Sequence, residues 1–279
     1  MSLGDDAGSG NVRSGDSLWR MRIATWNVNS LKARLERVEE WLDYAAPDVL
    51  CMQETKLADA AFPAMDIERH GYEWAHHGSG RWNGVAILSK VGITDVRFGF
   101  DDGMDDDAAE TRAITANCGG VQVTSVYVPN GRSLDNEMYT WKLQWLDRLH
   151  DFIARSHQPH DNVAVLGDFN IAPEDRDVYN PKAFTGTTHT SDAERKRLQA
   201  LLDWGFVDVF RDQYPDDDKL FTWWDYRQGM FHKGMGMRID LALMTAPLAE
   251  KVRFALMDRN ARKGTLPSDH APMFFDVDV

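Results

Sequence analysis

Cysteine is scarce in this chain: Cys51 and Cys118 are the only two. Each sits in an apolar or β-rich stretch with no partner at metal-binding spacing, which excludes a disulfide scaffold and a zinc ribbon. Two buried free thiols and a reducing compartment are the expectation. A basic surplus is also missing, since 31 Lys and Arg face 44 Asp and Glu for a net charge of −13. The total therefore lacks the usual footprint of a nucleic-acid binder, although a local basic rim remains open. No apolar run approaches the ~20 residues of a membrane helix. The first twenty residues, MSLGDDAGSGNVRSGDSLWR, have no apolar core of signal-peptide length. They read as a disordered leader, with Met21 as the functional start of a cytosolic monomer.

What is present suits one domain over 21–279, at 43% hydrophobic composition. Strands rich in Val, Ile and Thr are expected at Met21 to Trp26, Val49 to Met52, Gly84 to Ser89, Arg112 to Asn117, Val121 to Val128, Val163 to Leu166, Ile239 to Met244 and Pro272 to Val277. Helical spacing links Leu31, Leu35, Val38 and Leu42, and again Met138, Trp141, Trp145, Leu149 and Phe152. Ser191 and Glu194 form a capping box for a third helix that stops at Gly205. Three strands between 84 and 128 follow one another without a helix, so the sheets are largely antiparallel or mixed, with helices outside. The acidic runs at 101–107 and 215–218 read as solvated loops.

Several strands end in polar residues. VAVLGDFNIAP, at 163–173, breaks at Gly167 and delivers Asp168 and Asn170 two positions apart, on one side of an extended chain. Asn27 and Asn29 follow the first strand, Gln53, Glu54 and Lys56 the second, and Tyr127, Asn130 and Arg132 a later one. Asp240 opens another strand, and Asp269 and His270 precede the last. Singly, such residues are most often turn formers or caps. Collected at one sheet edge, they would be a costly concentration of like charge without a cation. Hard oxygen donors without a Cys or His cluster point to Mg²⁺ or Mn²⁺. That metal, with one histidine beside a carboxylate, points to phosphoester hydrolysis.

The motifs ATWNVNS (24–30), PDVLCMQETK (47–56), NGVAILS (83–89), YVPNG (127–131), GDFNIAP (167–173), FTWWDYR (221–227), MRIDLAL (237–243) and PSDHAP (267–272) resemble those of the exonuclease III family of apurinic/apyrimidinic endonucleases. The resemblance runs from Met21 to the C-terminus. It implies an α+β, deoxyribonuclease-I-like fold: a four-layer αββα sandwich of two packed mixed sheets, flanked by helices, with the active site at one end of the sheets. It implies a DNA repair nuclease that cuts 5′ of abasic sites and trims 3′ ends. In that family's terms, Glu54 is the primary metal ligand, with Asn27 and Asp269 near the ion and Asp168, Asn170 and His270 completing the metal site. Asp168 activates water, Asn170 holds the phosphate, and Asp240 orients His270. Tyr127 and Asn130 sit at the phosphate.

The same resemblance assigns Trp223, Met237 and Ile239 to a pocket for a base-less sugar and Arg227 to a wedge. Lys32, Lys56, Arg81 and Arg132 would form the local rim that contacts backbone phosphates of double-stranded DNA. Met237 replaces a bulkier aromatic, and Asn29 an aspartate, of some members. Two rival readings are a sister phosphatase or phosphodiesterase with the same metal core, and a non-catalytic DNA-binding protein.

Overall fold

The computed structural model describes residues 20–104 and 111–279. The leader, apart from Arg20, and the end of the acidic run beyond Met104 lie outside the described residues. Twelve strands form two mixed six-stranded sheets. They are β1 (Arg20–Asn27), β2 (Val49–Gln53), β3 (Glu73–His77), β4 (Val85–Ser89), β5 (Thr94–Phe98), β6 (Ala113–Cys118), β7 (Val121–Tyr127), β8 (Val163–Asp168), β9 (Phe206–Asp208), β10 (Asp240–Thr245), β11 (Val252–Met257) and β12 (Met273–Asp278). The first sheet has the order β11-β12-β1-β2-β4-β3 and the second β5-β6-β7-β8-β10-β9. This is the expected αββα sandwich.

The apolar runs explain the layering. In β8, Ala164 and Leu166 face the core between the sheets, whereas Val163 and Val165 face the helices. A strand covered on both faces reads as an uninterrupted apolar run. Cys51 and Cys118 both lie in the inter-sheet core as free thiols. Helix α1 (Leu31–Ala45) covers the first sheet through Leu31, Val38, Trp41 and Leu42. Helices α2 (Glu137–Ser156) and α3 (Asp192–Trp204) cover the second. Helix α3 carries the expected box, in which Ser191 accepts from the Glu194 amide and the Glu194 side chain accepts from the Ser191 amide.

Two local expectations are corrected. Gly167 does not end its strand; β8 continues to Asp168, and Gly167 pairs with Val126 of parallel β7. A Cβ there would lie 1.9 Å from the Val126 carbonyl oxygen, so close backbone approach, and not a sharp exit, demands glycine. In α2 the buried stripe includes Tyr139 and Lys142, a rotation from the stripe expected through Met138.

Register then fixes where the polar ends meet. β1 runs parallel to β2, and β7 parallel to β8, so Asn27, Gln53, Tyr127 and Asp168 close their strands at one end. β12 and β10 run antiparallel to β1 and β8, so they start at that same end, bringing Asp269, His270 and Asp240. Gln53 ties the sheets together there: its amide donates to Thr25 Oγ1 at 3.1 Å and to Ser125 Oγ at 3.0 Å.

Candidate active site

The strand ends enclose a cleft of about 240 Å³ lined by Glu54, Tyr127, Asn130, Asp168, Asn170, His189, Trp223, Met237, Ile239, Asp269 and His270. One ligand atom from each of Glu54, Asp168 and His270 lies within 4.8 Å of the others. Asn27 sits between the carboxylates and donates to Glu54 Oε1 and Asp168 Oδ2, both at 2.9 Å. Glu54 follows β2 with a left-handed backbone, φ 52°, which turns its carboxylate back over the strand ends. Lys56, expected in the basic rim, is half-buried. Its ammonium pairs with Glu54 Oε2 at 2.8 Å and donates to Asn29 Oδ1 at 2.5 Å.

Asp168 and Asn170 do share the cleft, but not through extended backbone. Asn170 is left-handed, φ 50°, and its amide donates to Asp168 Oδ1 at 2.9 Å. This turn holds the two side chains together. Burial drives the Asp168 carboxyl up to about 7, with Asp240 and Glu54 adding to the shift and His270 opposing it. His270 Nδ1 lies 2.8 Å from Asp240 Oδ2 and its Nε2 lies 3.8 Å from Asp168 Oδ2. Burial alone would lower the imidazolium, but Asp240 outweighs it and His270 rises to about 10. Tyr127 is pushed well above its usual range by burial and by the Glu54 carboxylate it bonds.

The donor set fits a hard divalent cation. The Glu54 and Asp168 carboxylates converge with His270 in one buried cleft, and oxygen donors of that kind suit such an ion. Asp269 borders the cleft but spends its oxygens on Asn29 Nδ2 at 2.8 Å and Trp223 Nε1 at 3.1 Å.

Around the centre, Trp223 packs with buried Met237 and Ile239 in one apolar cluster. Phe221 and Trp224 are core residues. Arg227 is exposed and held by Asp225, at 2.5 Å. Lys32, Arg81 and Arg132 are exposed. Asn130 donates to Asn170 Oδ1 at 3.2 Å and lies 3.1 Å from His189 Nε2. His189 was not expected in the cleft. Its ring also lies 3.1 Å from Asn170 Oδ1, and burial, reinforced by Lys142, lowers it to about 4. The only trace in the sequence is its position just before the capping box.

The sequence profile of the endonuclease/exonuclease/phosphatase family matches residues 24–270. The chain belongs to this family. Within it, the chain is 34% identical over 265 residues to exodeoxyribonuclease III of Haemophilus influenzae, covering 91% of this chain and 98% of that protein. An AP endonuclease structure from Archaeoglobus fulgidus superposes with a TM-score of 0.89 at 39% identity, over 93% of this family member and 100% of that chain. A 3′-5′ exonuclease structure from Neisseria meningitidis gives the same TM-score of 0.89, identity of 39% and coverage of 93% and 100%.

Proposed function

We propose that the protein is a DNA repair nuclease that hydrolyses phosphodiesters 5′ of abasic sites and trims 3′ ends, using Mg²⁺ or Mn²⁺. The observation that carries this reading is the meeting of Glu54, Asp168 and His270 in one cleft beside the apolar wall of Trp223, Met237 and Ile239. Glu54 and Asp168, with Asn27, Asn170 and Asp269 around them, would hold the metal. When bound, it would neutralise charge developing on the phosphoryl oxygens.

Asp168 is the base: its carboxylate, held in the cleft by the Asn27 and Asn170 nitrogens, can take a proton from the attacking water. The water oxygen bonds to phosphorus, the bond from phosphorus to the upstream 3′ oxygen breaks, and that oxygen takes a proton. Tyr127, kept as a phenol, is placed to give it. His270 serves as an imidazolium facing a phosphoryl oxygen. Asp240 holds its Nδ1, which leaves Nε2 facing the cleft beside Asp168. Asn130 and Asn170 steady the phosphate. Exposed Lys32, Arg81, Arg132 and Arg227 would engage the duplex, as a monomer in the cytoplasm, at the nucleoid.

A second reading weights the 3′ end over the abasic site. His189 occupies part of the cleft alongside Trp223, Met237 and Ile239, space that a base-less sugar would need. Incision of a duplex with one tetrahydrofuran abasic analogue, compared with an intact duplex and with a nicked duplex ending in a 3′-phosphate, decides between them. A metal-dependent nick 5′ of the analogue, abolished by EDTA, is expected. Processing of the 3′ end alone favours the second reading, and no metal-dependent cleavage of any of the three refutes both.

A further inference from the structure

Beneath the cleft lies an ion pair that the chemistry above does not use. Lys142 and Glu194 are both fully buried, with Nζ 2.5 Å from Glu194 Oε1. The Lys142 ammonium donates to the Asn170 carbonyl at 2.7 Å and to the Asn130 carbonyl at 3.3 Å. The Glu194 carboxylate accepts from the His189 amide at 2.9 Å. Thr188 Oγ1 links the two networks, 2.9 Å from Glu194 Oε1 and 2.8 Å from the Asn130 carbonyl.

Three chain segments, distant in sequence, thus receive a bond from one buried pair, and each contributes a side chain to the cleft. Asn170 and His189 both have left-handed backbone, φ 50° and φ 77°. Such conformations persist where the surroundings over-determine them. A buried ion pair is a poor source of stability compared with an apolar pair of similar volume. An apolar pair, however, could not bond two carbonyls and an amide. We infer that Lys142 and Glu194 are positioning residues: they fix Asn130, Asn170 and His189 as one unit in the wall of the cleft.

The inference deepens the hydrolase reading and rests on it for the meaning of the unit, so the test needs a readout independent of turnover. The variant Lys142→Met/Glu194→Gln leaves no unpaired charge in the core. It is expected to keep a thermal midpoint close to wild type, to lose about 10- to 100-fold in kcat, and to leave KM little changed. Imidazole ¹⁵N shifts of His189 are expected to change as its contacts with Asn130 and Asn170 loosen. A folded double variant with wild-type kcat and unchanged His189 shifts overturns the inference. If the wild-type protein cleaves none of the DNA substrates, the hydrolase reading fails, and the His189 shifts alone still decide whether the pair fixes the unit. Should the double variant not fold, Thr188→Val takes its place, since it removes the shorter of the two bonds to the Asn130 carbonyl, and the Thr188 contact with Glu194, while keeping both charges. Loss of kcat at constant thermal midpoint supports the inference, and no change in kcat or in the His189 shifts overturns it.

Discussion

Asp168 and Asp240 are register partners across the antiparallel ladder of β8 and β10, yet their carboxylates do different things. Asp240 Oδ2 sits 2.8 Å from one nitrogen of His270, while Asp168 Oδ2 stays 3.8 Å from the other. One acid is spent on holding an imidazolium, and the other is left near neutrality beside Glu54. On the proposed mechanism, two acids of the same ladder are thereby divided between orientation and proton transfer.

Asp168→Asn should bind duplex DNA with near wild-type affinity and lose roughly 10²- to 10⁴-fold in kcat, the range for removal of a positioned base. Single-turnover cleavage and equilibrium binding, measured in the same buffer, check this. Undiminished turnover would remove Asp168 from the mechanism.

Asp240→Asn should release the His270 proton. Burial would then act with less opposition, and the imidazole, raised to about 10 in the metal-free protein, should fall towards or below the ordinary histidine range. An NMR titration in EDTA reads this directly. A His270 titration that stays where it was would mean that Asp240 does not hold the charge.

Asp177 gives a prediction about stability. Burial pushes its carboxyl up, but Arg238 at 2.8 Å and Arg211 at 2.8 Å outweigh burial and hold it below the ordinary range. A depressed folded-state value stabilises the fold fully above the unfolded pKa, about 3.9. That contribution is lost as pH falls through the lower folded-state value. Asp177→Asn should cost about 3 kcal/mol at neutral pH, because buried Arg238 loses one of its two carboxylates and keeps only Asp208, at 2.6 Å. It should also flatten the acid limb of the stability curve. Denaturant melts from pH 7 to pH 3 would show equal acid sensitivity in both proteins if the assignment is wrong.

DNA affinity should fall steeply with salt despite the net charge of −13. Lys32, Arg81 and Arg132 are exposed and make no salt bridge to a carboxylate among the described residues. Replacing any one by Ala should weaken binding alike across sequences and reduce the log–log salt slope by about 1. Slopes that do not move would place the duplex elsewhere.

The strands legible in the sequence are the interior ones. All eight expected strands correspond to β1, β2, β4, β6, β7, β8, β10 and β12, whereas β3, β5, β9 and β11 are the sheet edges. An edge strand has partners on one side only and need not be apolar: β5, TDVRF, is exposed along its whole length, and β9 has three residues. The oxygen donors of the site were legible for a related reason, since a polar residue directly after a doubly covered strand stands out. Lys142 and His189 were not. A lysine within an aromatic helical stripe reads as a solvated charge, and only its meeting with Glu194 of another helix makes it a buried one.

The strand order has a temporal side. The second sheet is drawn from residues 94–245, whereas the first joins residues 20–89 to residues 252–278. β12 must slot in between β1 and β11 before the first sheet is whole, and Asp269 and His270 arrive just ahead of it. During synthesis, then, Glu54 and Asp168 leave the ribosome well before the imidazole that meets them in the cleft. On the proposed mechanism the growing chain stays unarmed until β12 docks.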